Sequence, residues 1–119
     1  MARIKGQKST KALVLLSHYD SAPHSKSLGA SDDASGVATL LESVRALLYN
    51  KTPLQNDLIL LFTDAEELGL NGAALFVTQH DWATDVGRVR NCEARGTSGP
   101  RMMLMESTPG NRALVEAFA

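Results

Sequence analysis

The chain has 119 residues, 44% of them hydrophobic and 21% charged, the profile of a single globular domain rather than a disordered or fibrous chain. Twelve Lys and Arg against thirteen Asp and Glu give a formal net charge of -1, so the basic excess that nucleic acid or an anionic membrane surface demands is missing. The longest apolar runs are five residues each, against roughly 20 for a bilayer span, so no membrane segment is expected; the single cysteine, Cys92, excludes an internal disulfide, and the compartment stays open.

In chain order, residues 2–6 (Ala-Arg-Ile-Lys-Gly) read as an edge strand. Residues 12–17 (Ala-Leu-Val-Leu-Leu-Ser) form a continuous apolar run, as in a parallel strand buried on both faces. Val37, Leu40, Leu41, Val44, Leu47 and Leu48 fall on one stripe at helical spacing, which predicts a helix over 35–49, closed by Asn50 and Pro53. A second buried strand follows at 58–63 (Leu-Ile-Leu-Leu-Phe-Thr), then a weaker helix over 69–80. Strands are predicted at 88–94 and 101–106 across the turn-rich Gly96–Pro100, and a last helix after Asn111. Strands alternating with helices imply right-handed crossovers, hence an α/β fold: a three-layer α/β/α arrangement on a mostly parallel central sheet.

In such sheets the site lies beyond the carboxyl ends of the strands. The first long strand runs into His18-Tyr19-Asp20, the second into Asp64-Ala65-Glu66-Glu67, and the third carries Glu93 at its end. Between the first strand and its helix stands Gly29-Ala-Ser-Asp32-Asp33-Ala-Ser-Gly36. Seven carboxylates and an imidazole on one edge are costly unless cations bind there. A mixed imidazole and carboxylate set suits a borderline ion, zinc above all, and the alternating acidic loop of a calcium site is absent. Taken singly these residues have blander uses: Asp32, Asp33 and Ser35 suit a helix start, and Glu66-Glu67 suits a first helical turn. Cys92 should face away from Glu93 into the core, as should Met102, Met103 and Met105. Asp64 reads equally as a supporting or a surface acid.

Together, His18-Tyr-Asp20, Gly29-Ala-Ser-Asp-Asp-Ala-Ser-Gly36, Asp64-Ala-Glu-Glu-Leu-Gly69 and Asn91-Cys-Glu93-Ala resemble the zinc-dependent exopeptidases of the M28 type, the aminopeptidases of the bacterial leucyl and aminopeptidase S kind. The resemblance covers residues 12–96 and implies a two-zinc site. In it Asp32 bridges both ions, His18 and Glu93 complete one, Glu67 serves the other, Glu66 is the general base, and Asp20 fixes the His18 tautomer. It further implies a cis peptide at Asp32-Asp33 and a peptide substrate with a free amino terminus. The family's second-metal histidine has no counterpart here, since neither His24 nor His80 stands in a matching context. Residues 1–119 are therefore expected to be one partial catalytic domain, truncated at both ends. As it stands it should hold at most one ion, be inactive alone, and tend to self-associate through exposed strand edges. The alternatives are a non-catalytic binding or structural relative of the same fold and a zinc-dependent aminoacyl cyclase.

Overall fold

The computed structural model describes residues 1–94 and 109–116. Among the described residues four strands, β1 (Ala2–Ile4), β2 (Ala12–His18), β3 (Asp57–Thr63) and β4 (Val86–Asn91), form one sheet in the order β1-β3-β2-β4. The two parallel pairings are built as the apolar runs demand. β2 runs parallel to β3 from Ala12 opposite Asp57 to His18 opposite Thr63, and parallel to β4 up to Leu16 opposite Asn91. Only β1 is antiparallel, a three-residue edge on β3.

Helices α1 (Ala34–Tyr49) and α2 (Asn71–Gln79) cover opposite faces, which gives the expected three layers. Alternation along the strands sorts the core accordingly. Val44 of α1 packs with Leu58 and Leu60, joined by Leu15 and Leu47. Phe76 of α2 packs with Ala12, Val14, Ile59 and Leu61. The α1 stripe is narrower than its sequence suggests: Leu40 and Val44 are buried, whereas Leu41 and Leu48 are exposed. A helix lying on one sheet face presents only its central rows to that face, and the flanking leucines turn outward.

The bounds of α2 and β4 differ from the sequence reading. α2 starts at Asn71 rather than at Gly69, because Gly69 and Leu70 take left-handed backbone (φ 112° and 62°). A 3₁₀ turn over Asp81–Asp85 delivers the chain into the sheet at Val86, so β4 ends at Asn91 and not at residue 94. Glu93 is thereby left beyond the ladder, free to turn toward the neighbouring strand end. A short helix α3 (Arg112–Glu116) stands where the last helix is expected, and the strand predicted over 101–106 lies outside the described residues.

The sheet is fastened at its other end by Asp57, whose carboxylate is buried (1% exposed). It accepts hydrogen bonds from the Gly6 amide (2.9 Å), Arg3 Nε (2.7 Å) and Lys5 Nζ (3.1 Å), while its own amide donates to Ser9 Oγ (3.0 Å). These donors hold its pKa well below the ordinary carboxylate range, the Gly6 amide contributing most and burial opposing. Arg3 also pairs with Asp85 (2.6 Å) and lies over the Trp82 ring, 5.5 Å from its centroid. Trp82 therefore serves this end of the sheet.

Candidate metal centre

Because β2 and β3 end in register, His18 and Thr63 stand at the same level, and the segments that follow them emerge side by side. β4 brings the third segment to the same edge. Leu16 pairs with Asn91 and its carbonyl accepts from the Cys92 amide (2.8 Å), so Glu93 arrives beside His18. The fourth segment, residues 29–33, is held by the helix it starts: Asp33 is the N-cap of α1 and accepts from the Gly36 amide (3.0 Å). The Asp32-Asp33 peptide is cis, as the resemblance implies.

His18 is the centre of the cluster and is 3% exposed. Its Nδ1 lies 3.1 Å from the carbonyl oxygen of Asp20 and 3.3 Å from the carboxylate of the same residue. Both neighbours are acceptors, so Nδ1 carries the proton of the neutral ring. Nε2 then presents its lone pair to carboxylate oxygens of Asp32 at 3.0 Å, Glu93 at 3.5 Å and Glu66 at 4.0 Å. A lone pair ringed by carboxylates needs a cation between them, either a proton or a metal ion. The His18 pKa is accordingly raised: burial, the largest single influence, opposes, and Glu93, Glu66 and the Asp20 carbonyl prevail.

Among the described residues, two sets of donor atoms lie within 4.8 Å of one another and could hold an ion: His18 with Asp32 and Glu93, and His18 with Glu66 and Glu67. The first is a nitrogen and two oxygens, a donor set that fits zinc. Glu66 titrates above the ordinary glutamate value, chiefly because it is desolvated and further because Glu93, Glu67 and Asp20 are near, with His18 opposing. A carboxylate so placed holds a proton more readily than one in water.

Asp20 does more than face His18. Its two carboxylate oxygens accept the backbone amides of Glu66 (3.1 Å) and Glu67 (3.2 Å). Burial pushes its pKa up, but those two amides and His18 carry it below the ordinary value. One side chain thus ties the exit of β2 to the exit of β3.

Of the acids expected at this edge, the structure gathers Asp20, Asp32, Glu66, Glu67 and Glu93 around His18 and leaves two out. Asp64 is exposed and turned toward the Ala65 amide (2.9 Å) and the Tyr19 hydroxyl. Asp33 is buried beneath the cluster, 1% exposed. Cys92 is half-buried rather than fully in the core, with its thiol pKa pushed up mainly by desolvation. Met102, Met103, Met105 and Arg95 lie outside the described residues. His24 is exposed in its loop, and His80 stacks on Phe76 and accepts the Trp82 amide, so neither joins the cluster.

The model of peptidase family M28 matches residues 1–119. Putative endoplasmic reticulum metallopeptidase 1-B of Caenorhabditis elegans is 44% identical over 122 residues, which cover 99% of this chain and 13% of that protein. Endoplasmic reticulum metallopeptidase 1 of Rattus norvegicus is 36% identical over 119 residues, 99% of this chain and 13% of its own length. Vacuolar membrane protease of Yarrowia lipolytica is 38% identical over 104 residues, 87% of this chain and 10% of its length. The chain therefore spans between a tenth and about an eighth of the length of these relatives, and no helix among its described residues is long and apolar enough to cross a membrane.

Proposed function

The chain belongs to peptidase family M28, and from that premise we propose that it carries zinc ligands and the general base of an exopeptidase that removes residues from peptides with a free amino terminus. The observation that carries this reading is the His18 imidazole, oriented through Nδ1 and ringed at Nε2 by three carboxylates. His18, Asp32 and Glu93 are assigned to one ion. Asp32 and Glu67 would help to hold a second ion, which would take a further ligand from beyond this set.

Zinc bound there supplies Lewis acidity toward the scissile carbonyl and makes a nearby water a stronger acid. The chain's own residues do the rest. Glu66 takes the proton of the attacking water and returns it to the leaving amine. Asp20 holds His18 in the tautomer that offers Nε2 and fixes the backbone on which Glu66 and Glu67 stand.

Zinc titration of the chain by calorimetry tests the reading. One ion per chain is expected, with binding lost in His18→Ala; absence of binding, or binding indifferent to that substitution, overturns the assignment. In a full-length protein carrying this chain, Glu66→Gln should leave bound metal nearly intact and lower turnover of an aminoacyl-nitroanilide by on the order of 10² or more. Glu67→Gln should release metal instead, and the reverse pattern would mean that base and ligand are exchanged.

A further inference from the structure

Among the buried polar side chains that the proposed reaction leaves unused are Ser17 at 0% exposure and Asp33 at 1%. They meet. Ser17 Oγ donates to Asp33 Oδ2 at 2.5 Å, the shorter of its two contacts, the other being the His18 carbonyl at 3.5 Å. The second oxygen of Asp33, Oδ1, accepts the Gly36 amide. A side chain at Gly36 would run into the Asp33 carboxylate, so the glycine lets helix and acid close on each other.

Ser17 immediately precedes His18, and Asp33 immediately follows Asp32. The single bond between Ser17 and Asp33 therefore joins, one residue away from each, the two elements that bring His18 Nε2 and Asp32 Oδ1 to 3.0 Å. One element is a core strand and the other the start of a helix on the sheet face, and their separation is otherwise set by apolar packing, which has no direction. A short hydrogen bond to a charged acceptor in a buried setting does have direction.

We propose that Ser17 and Asp33 are positioning residues for the metal centre, a buried strut that fixes the spacing between the His18 and Asp32 ligand atoms. The proposal rests on the reading of His18 and Asp32 as ligands of one ion. Its physical content is that losing the strut lowers zinc affinity in molecules that remain folded.

Three variants of the chain separate this from a general loss of stability. Ser17→Ala deletes the donor and leaves the helix cap intact. Asp33→Ser keeps a capping oxygen for the Gly36 amide but is too short to reach Ser17. Asp33→Asn keeps both contacts, its oxygen accepting from Gly36 and its amide donating to Ser17 Oγ. Zinc affinity is measured by competition with a chromophoric chelator, with the folded fraction of each variant fixed by circular dichroism. Ser17→Ala and Asp33→Ser are each expected to weaken binding by about tenfold or more, as loss of a supporting partner does. The double variant should be no worse than either alone, and Asp33→Asn should restore most of the affinity. Cobalt-loaded Ser17→Ala and Asp33→Ser should also share one altered visible spectrum, since ligand spacing, not ligand number, has changed. Unchanged affinity in folded Ser17→Ala, or strictly additive losses in the double variant, overturns the strut. Indifference of zinc binding to His18→Ala instead overturns the site reading beneath it, so the two failures are told apart.

Discussion

Asp20 uses both carboxylate oxygens on backbone amides, one from Glu66 and one from Glu67. Asn can offer only one oxygen, and its amide group would face an N–H donor. In Asp20→Asn one of the two amides therefore loses its acceptor, and the backbone beneath Glu66 and Glu67 is no longer fixed. Zinc affinity should drop by roughly 10–100-fold, with a lower urea midpoint, and an Asn variant that titrates like the parent would show that the two amides are indifferent to their partner. At this scale the sequence is informative only over short distances. His18 and Asp20 are two residues apart, so their partnership follows from alternation along an extended chain. The amides that Asp20 accepts are 46 and 47 residues away, and the Ser17 bond to Asp33 spans 16. Those pairings exist only once β2, β3 and α1 are placed, and no spacing rule announces them.

α1 shows what periodicity resolves and what it leaves open. Its existence and its ends were legible, since the stripe, Asn50 and Pro53 mark them, and the helix runs from Ala34 to Tyr49. Which leucines touch the sheet was not legible, because Leu40 and Leu41 are adjacent on the stripe and only docking on the sheet decides between them. Leu40 is 3% exposed and Leu41 54%. Leu40→Ala should cost about 2–5 kcal/mol of unfolding free energy through lost burial and the cavity left behind. Leu41→Ala should stay within about 0.5 kcal/mol. Chemical denaturation of the two variants checks this, and equal costs would mean that α1 is rotated about its axis. The short end of β4 was missed for a related reason: the 3₁₀ turn at Asp81–Asp85 sets where the strand enters the sheet, and its five residues carry no periodic signal.

For the molecule as a whole, the mostly parallel sheet and its layers were readable because continuous apolar runs have few other uses, whereas the fastening at Asp57 was not. The sequence reads residues 2–6 as an edge strand, but nothing in it joins Arg3, Lys5, Gly6 and Ser9 until the fold brings the first three onto the buried Asp57 carboxylate and Ser9 onto the Asp57 amide. The folded chain lowers the proton affinity of Asp57, so the unfolded chain binds its proton first. The stability it contributes is complete above the ordinary carboxylate value of about 4 and is lost progressively as the pH falls below that toward the depressed folded value. Asp57→Asn should reduce stability at neutral pH and flatten the acid limb of a stability profile measured by urea unfolding between pH 2 and 7. An unchanged slope in the variant would assign that limb to other carboxylates. Arg45→Ala, which removes an exposed ion pair with Glu42 on α1, should leave the profile almost unmoved.

The position of Asp57 at the first rung of β3 carries a further consequence. Burial alone tolerates a slip of two residues between parallel strands, because the same faces point inward again. Such a slip would shift His18 along the sheet by about 6.6 Å, two rises of a strand, and out of reach of its partners. Asp57, pinned by the Gly6 amide and Ser9 and paired with Ala12, admits only one alignment, and six rungs later that alignment sets His18 opposite Thr63. The anchor acts as the zero mark of a ruler read about 20 Å away. A misplaced zero would show as folded protein with a helix and strand content like the parent's but with a weakened zinc site. Asp57→Ala, titrated with zinc after refolding, should display that signature although it touches none of the ligands.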